Sequence, residues 1–370
     1  MKRRMLKIVL LCSLLVGILF QYLGLFDNLF VIEFEANFDS SLNRNILNLV
    51  EDHKRGVRNE NSSGIINSYN YRFIIENKHK CKNKSGESYE HVRVLIMIKS
   101  AIKHIESRDG IRSTWGSEGK FSDGLIKRVF VLGSCDGVQF EDLKGKEITC
   151  ENVIKNESMT NNDIVQIDFI DNYYNNTIKM MSAQKWAVKF CPKADFILFV
   201  DDDYYVSMKN LLKFLRNPFT YDDDPNYFSE NFVIPKPLPS NFDGRLYAGH
   251  VYVNEPPIRS KMSKWRISLQ EYPYSLFPPF VLAGTLILSN SALIDIYYAS
   301  FYVKHFRFDD VYIAMLARSV KIKPLHSTHI FTEKQTYSRE KYSTLIASHG
   351  FKNVNELLKV WRIQKRLGFA

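Results

Sequence analysis

From Ile8 to Phe26 the chain runs through nineteen uncharged residues, about 28 Å if helical and enough to cross the hydrocarbon of a bilayer. Lys2, Arg3, Arg4 and Lys7 come before this run, and Asp27, Glu33, Glu35 and Asp39 come after it. Basic residues before and acidic residues after predict a cytosolic tail at 1–7, a span at 8–26 and a body on the far side of the membrane. A cleaved leader would have a shorter apolar core ending at a small-x-small site. Leu25, Phe26 and Leu29 to Ile32 occupy that region instead, so an uncleaved signal anchor is expected.

Residues 27–88 are polar and Asn-rich with no sustained period, which reads as a luminal stem. Beyond them, in 89–370, short apolar runs at Val92–Ile98, Arg128–Leu132, Ile164–Phe169 and Phe196–Val200 are rich in β-branched and aromatic residues. They predict buried strands. Helical spacing alternates with them at Thr177–Phe190, Met208–Leu215 and Asp309–Val320. Such alternation predicts an α/β sheet with crossover helices.

Composition refines this picture modestly. With 45% hydrophobic and 24% charged residues among 370, the chain is globular rather than disordered or fibrous. Its net charge is +10, which favours an anionic partner. The basic residues form no stripe, so nucleic acid is not expected. Cys12 falls in the span, leaving Cys81, Cys135, Cys150 and Cys191. An even set in a luminal body fits two disulfides, with three pairings open. Asn61, Asn83, Asn156 and Asn175 each begin an Asn-x-Ser/Thr sequon. No Cys-x-x-Cys, His-Glu-x-x-His, Gly-x-Gly-x-x-Gly after the first strand or P-loop occurs. Zincin, dinucleotide and P-loop chemistries are therefore excluded.

The chemistry concentrates in acidic residues. Asp201, Asp202 and Asp203 directly follow the apolar run Phe196–Val200, and strand carboxyl ends are where open α/β sheets bind ligands. Strand alternation sends Asp201 and Asp203 to one side. Three adjacent carboxylates need a cation to offset their repulsion, and hard oxygen ligands suit Mn²⁺ or Mg²⁺ bridging to phosphate. A second triplet, Asp222–Asp224, has no strand before it and reads as a solvated loop. Asp309 and Asp310 open a helical pattern, where acidic residues complement the helix dipole. A carboxylate near a metal could also deprotonate an acceptor hydroxyl.

Several blocks, in order, resemble the β1,3-galactosyltransferase and β1,3-N-acetylglucosaminyltransferase family, glycosyltransferase family 31. They are Arg108–Gly116, Asp168–Lys179, Phe199–Val206, Tyr272-Pro-Tyr274, Pro278-Pro-Phe280, Ala283–Ser289 and Phe308–Ile313. Met97–Ala101, Phe121-Ser-Asp123, Ala248–Val251, Ser263-Lys-Trp265, Phe306–Val311 and Ile346–His349 resemble its invertebrate brainiac type. The resemblance implies a GT-A fold over 89–370, a UDP-sugar donor and Mn²⁺ held by Asp201 and Asp203, with Asp202 beside the cofactor. Asp310 matches the family's base and Asp309 stands where relatives usually carry Glu. His326 matches a late His that completes the metal shell. Arg108, Arg112, Asp168, Asp171 and Lys179 match blocks on the nucleotide side. Gly284, in a turn with fewer glycines than the family's, and Trp265 would line the sugar site. The implied reaction is a single inverting displacement onto the 3-hydroxyl of a glycolipid or glycoprotein glycan. Brainiac-like enzymes place N-acetylglucosamine on mannosyl-glucosylceramide; galactose transfer to N-acetylglucosamine-terminated glycoproteins is the alternative. The resemblance also implies a Golgi type II membrane protein and admits a homodimer. Metal-dependent phosphoryl transfer would use the same carboxylates but leaves the ordered blocks unaccounted for. A silent relative would lack the Asp-x-Asp or the base, and both are present.

Overall fold

The computed structural model describes residues 2–369 apart from 43–44, 60–61, 122–123, 142–146, 222–237 and 241. The Asn61 sequon and the Asp222–Asp224 triplet lie outside the described residues. The chain divides into two compact units, Met1–Arg44 with Tyr252–Phe280, and Asn45–Val251 with Val281–Ala370.

In the first unit α1 (Lys2–Leu23) is followed by α2 (Phe34–Ser41). Arg4–Leu23 is long and apolar enough to cross a membrane, and none of it is buried. A helix apolar on every side gains nothing in water, which is why this one suits a lipid solvent.

The second unit begins with α3 (Ile46–Lys54), β1 (Phe73–Ile75), β2 (Val92–Lys99), α4 (Ile105–Arg112), β3 (Gly119–Phe121) and β4 (Gly124–Leu132). Next come β5 (Gln139–Glu141), β6 (Glu147–Thr149), α5 (Cys150–Asn161), β7 (Ile164–Ile167), α6 (Asn176–Phe190), β8 (Ala194–Asp201), β9 (Tyr205–Val206) and α7 (Met208–Arg216). β10 (Tyr247–Tyr252) leads out to the first unit and β11 (Phe280–Ser289) leads back. The chain ends through α8 (Asn290–Ala299), α9 (Asp309–Ser319), β12 (Leu325–His326), β13 (Ile330–Phe331), α10 (Arg339–Thr344), β14 (Ala347–Ser348) and α11 (Val354–Arg366).

Among the described residues nine strands form one mixed sheet, in the order β1-β7-β4-β2-β8-β11-β10-β12 with β3 beside β4. β2 is parallel to both β4 and β8. Its Val94, Ile96 and Ile98 face a core shared with Ile111 of α4, Leu211 and Phe214 of α7, and Leu357 and Val360 of α11. On the other side α6 packs on β2 and β4. Burial on both faces explains why these strands are continuous apolar runs without alternation. From β2 the chain proceeds outward through β4 to β7, then returns to β8 on β2's opposite side. The crevice beyond the carboxyl ends of β2 and β8 is thus the switch point, where such sheets bind ligands.

The four predicted strands and three predicted helices are all present. The stem expectation differs from the structure over 45–88. α3 packs on α8, with His53 stacked 4.8 Å from the Tyr298 ring and its Nε2 2.8 Å from the Tyr302 hydroxyl. The Asn67 amide donates to the Ser300 carbonyl at 2.7 Å, and β1 pairs antiparallel with β7. This segment is anchored by side-chain hydrogen bonds and isolated rings, which leave no apolar period to read.

Cys81 bonds Cys191 and Cys135 bonds Cys150. The first closes a loop with a sequence separation of 110 and ties residue 81 to the entry of β8. Replacing both its cysteines by serine is expected to lower unfolding stability by about 2–5 kcal/mol, measured by denaturant titration against the intact chain.

Candidate active site

β2 ends in Lys99 and β8 ends in Asp201, paired in register. Two apolar strands thus close on opposite charges. Lys99 Nζ lies 3.0 Å from Asp201 Oδ1 and 3.1 Å from Asp309 Oδ2, its side chain only 6% exposed. Burial would push this ammonium down, but the Asp201 and Asp309 carboxylates hold it well above its ordinary value. Asp201 is pushed up to about 6, chiefly by burial, with Lys99 pulling the other way and Asp309 and Asp203 adding repulsion.

Past Asp201, where β8 ends, the next two carboxylates lie in a turn and take separate partners. Asp203 Oδ2 is 3.0 Å from His349 Nε2, and the Asp203 carbonyl accepts from the Phe351 amide at 2.7 Å. His349 is raised by that carboxylate. Asp202 points away, accepting from Ser100 Oγ at 2.6 Å and lying 2.9 Å from His104 Nδ1. It binds the loop after β2 to β8.

Asp309 and Asp310 are the first two residues of α9. Asp310 Oδ1 accepts from the Val311 amide at 2.8 Å. Burial, with Asp309 beside it, pushes the Asp310 carboxyl up to about 7, while Lys99 pulls it down. A carboxylate near neutrality is matched to proton transfer at physiological pH.

The other expected residues lie as follows. Arg108 is fully buried, bidentate to Glu157 at 2.8 and 2.7 Å and donating to the Ala101 and Ile102 carbonyls. Arg112 pairs with Asp163 and Glu157, each at 2.8 Å. Lys179 Nζ bonds the Ser100 carbonyl at 2.9 Å and Asp171 at 2.7 Å, and Asp171 accepts from the Gly133 amide. Arg108, Lys179 and Asp171 brace the loops after β2 and β4, and Arg112 ties α4 to α5 and the start of β7. Asp168 pairs on the surface with Arg72. A Cβ at Gly284 would meet the Tyr204 hydroxyl at 2.6 Å, so the glycine makes room for that ring. His326 sits on β12, its Nδ1 accepting from the Val251 amide at 3.0 Å; the imidazole on Asp203 belongs to His349. Trp265 belongs to the first unit and is 48% exposed. Of the sequons, Asn83 Oδ1 accepts from the Glu87 amide, Asn156 is exposed on α5, and the Asn175 amide nitrogen donates to the Ile170 carbonyl.

Replacing Arg108 by methionine takes from buried Glu157 its bidentate partner and leaves it only Arg112. The expected cost is about 3–5 kcal/mol of stability, seen as a lower denaturation midpoint. Arg108→Met and Glu157→Gln together should cost less than the sum of the two.

The family model described as Galactosyltransferase matches residues 106–328, more than half of the chain. The chain belongs to the galactosyltransferase family. It is a hexosyltransferase, and its relatives carry that activity in their names. Beta-1,3-galactosyltransferase brn of Drosophila melanogaster is 38% identical over 75% of this chain and 76% of its own. The human lactosylceramide 1,3-N-acetyl-beta-D-glucosaminyltransferase is 28% identical over 79% of this chain and 69% of its own. The solved galactosyltransferase LgtC, with donor and acceptor sugar analogs, covers 75% of this chain and 100% of its own at 8% identity. Its TM-score of 0.34 is too low an overlap to speak to function.

In this family member Lys99 and His349 are the residues that sequence reasoning passed over. Both lie in blocks read only for resemblance. Lys99 carried a physical signal of its own, a charge closing the apolar run Val94–Ile98. His349 carried none, since 146 residues separate it from Asp203.

Among the described residues no three His, Cys, Asp or Glu side chains converge tightly enough to hold a metal unaided. Asp203 meets one imidazole, that of His349, while Asp201 is paired with Lys99. That donor set fits a divalent ion bound through one or two carboxylates, with phosphate oxygens and water completing its shell.

Proposed function

We propose that the enzyme transfers N-acetylglucosamine or galactose from a UDP-sugar, with inversion, to the 3-hydroxyl of an acceptor glycan. The observation that carries this reading is the charge arrangement at the switch point, where Lys99 joins Asp201 to Asp309, His349 meets Asp203, and Asp310 follows Asp309 at the start of α9. Mn²⁺ would be held by Asp203, Asp201 and His349, and when bound it would neutralise charge on the diphosphate leaving group.

The remaining steps fall to the chain itself. Asp310 accepts the proton of the attacking 3-hydroxyl as the oxygen bonds to the anomeric carbon and the UDP bond breaks. Attack from the face opposite the leaving group turns an α-linked donor into a β-linked product. Lys99 holds Asp201 and Asp309 together, so neither competes with Asp310 for the proton. Asp202, Ser100 and Arg108 fix the loop after β2.

For the acceptor, a glycosphingolipid of the mannosyl-glucosylceramide type is favoured by the brainiac-type likeness and by a relative named for lactosylceramide. An N-acetylglucosamine-terminated glycoprotein glycan is the second reading, favoured by the relatives named galactosyltransferases. The apolar α1 and the glycosyltransferase relatives support a membrane-anchored enzyme of the secretory pathway, which we place in the Golgi with a type II orientation.

The test uses the full chain in detergent with Mn²⁺, each UDP-sugar in turn, and β-mannosyl, β-galactosyl and β-N-acetylglucosaminyl aryl glycosides. N-acetylglucosamine delivered to the 3-hydroxyl of mannose supports the glycolipid reading. Galactose delivered to N-acetylglucosamine supports the second. Chelation with EDTA is expected to abolish transfer and added Mn²⁺ to restore it; transfer that persists in EDTA would sink the metal assignment.

A further inference from the structure

Within the first unit, the chain leaving α1 is stitched to the inserted loop. The Tyr22 carbonyl accepts from the Lys261 amide at 3.0 Å. Ile32 donates to Pro273 at 2.9 Å and accepts from Ser275 at 2.8 Å. Gly24 has φ +74°, and a Cβ there would meet the Arg259 backbone and Cβ at 2.5–2.6 Å. Only glycine lets the chain turn off the helix so close to that loop. Arg259 is itself buried, giving Nη1 to the Ile267 carbonyl and Nη2 to the Tyr274 carbonyl, each at 3.0 Å. Ile267 closes the loop onto the Ile258 carbonyl at 2.8 Å. Residues 258–267 are therefore a closed loop fixed to the last turn of α1.

This loop turns apolar side chains outward. Met262 is 73% exposed, Trp265 48% and Ile258 43%. Leu25, Phe26, Leu29 and Phe30, just past α1, are exposed as well. Lys261 and Lys264 stand among them, also exposed, with the Lys264 ammonium 4.6 Å from the Trp265 ring. Water-facing surfaces scatter large apolar residues singly and rarely gather so many. Tryptophan with lysine is instead the composition of the zone between lipid headgroups and acyl chains.

The position follows from the helix. The 20 residues Arg4–Leu23 rise about 30 Å, the thickness of the hydrocarbon. Tyr22 and the Lys261 amide bonded to it then lie at the boundary. We propose that loop 258–266 is a membrane-interface contact. In it Met262 and Trp265 enter the headgroup–acyl boundary of the leaflet from which α1 emerges, and Lys261 and Lys264 meet lipid phosphates. The proposal rests on α1 being a membrane anchor, and the commitment is to lipid rather than to a protein partner.

The test uses the full chain reconstituted in phosphatidylcholine vesicles containing lipids with a nitroxide near the headgroup end of the acyl chain, which reads the boundary, and in parallel near its methyl end, which reads the bilayer centre where Cys12 would lie. Cys12 is the one cysteine outside the two disulfides, so a maleimide fluorophore there reports whether α1 is inserted. On separate samples, the emission lost in Trp265→Phe defines the Trp265 signal. That signal is expected to fall by roughly half with the headgroup-end nitroxide, because interfacial side chains sit about 5–10 Å into the boundary. Quenching at both Cys12 and Trp265 supports the proposal. Quenching at Cys12 with the Trp265 signal untouched overturns it and leaves the anchor standing. Quenching at neither overturns the anchor and the interface contact together.

Discussion

Asp310→Asn is expected to lower kcat on the order of 10³-fold, within the range of a lost general base, while UDP-sugar binding survives. Asparagine keeps the shape and the bond from the Val311 amide but cannot take a proton. The pH profile gives the sign. The wild-type carboxyl is raised to about 7 by burial and by Asp309, so kcat/KM should climb through neutrality as the base ionises and level off above it. Stability runs the other way. An acid whose folded value is raised is most comfortable protonated, so its ionisation costs stability as pH rises from about 4, where the unfolded group titrates, to about 7. The asparagine protein should therefore match the wild type in acid and equal or exceed it above neutral pH. Steady-state kinetics with thermal unfolding across pH checks both; a variant that retains wild-type kcat removes Asp310 from the base role.

Lys99→Met is expected to remove about 3 kcal/mol of stability, because one buried cation is taken from two carboxylates. Transfer should fall at least 10²-fold, since Asp201 and Asp309 then repel each other at the mouth of the site. A merely structural loss would leave the pH dependence alone. Lys99 pulls the Asp310 carboxyl down and Asp309 pushes it up. The acid limb of kcat/KM should accordingly move to higher pH in Lys99→Met and to lower pH in Asp309→Asn. Limbs that stay put in both variants would show that Lys99 does not act on the base.

Much of the frame was legible from local pattern. The β-branched and aromatic content of Val92–Ile98 and Phe196–Val200 pointed to buried strands, and Thr177–Phe190 declared itself by its spacing. β10, β11 and α11 were not named as elements from pattern. β11 could be seen only as the block Ala283–Ser289, since Ala283-Gly284-Thr285 breaks its apolar run into pieces too short to read as one strand. Residues 45–88 misled for the converse reason. His53, Asn67 and Tyr69 hold that segment through hydrogen bonds and rings, which a polar composition conceals.

The site divides along the same line. By itself the sequence determined the apolar amino-terminal helix, the α/β alternation, the acidic triplet closing a strand, and the acidic pair opening α9, because each is a pattern among near neighbours. Tertiary structure alone decided that Lys99 joins Asp201 to Asp309, and that His349 rather than His326 meets Asp203. It also turned Arg108, Arg112 and Lys179 inward onto Glu157, Asp163 and Asp171. Those pairings link residues 8 to 210 positions apart, and most depend on strand order, register and helix docking. A charge in a sequence states what it can bind; only the fold states which opposite charge lies within 3 Å of it.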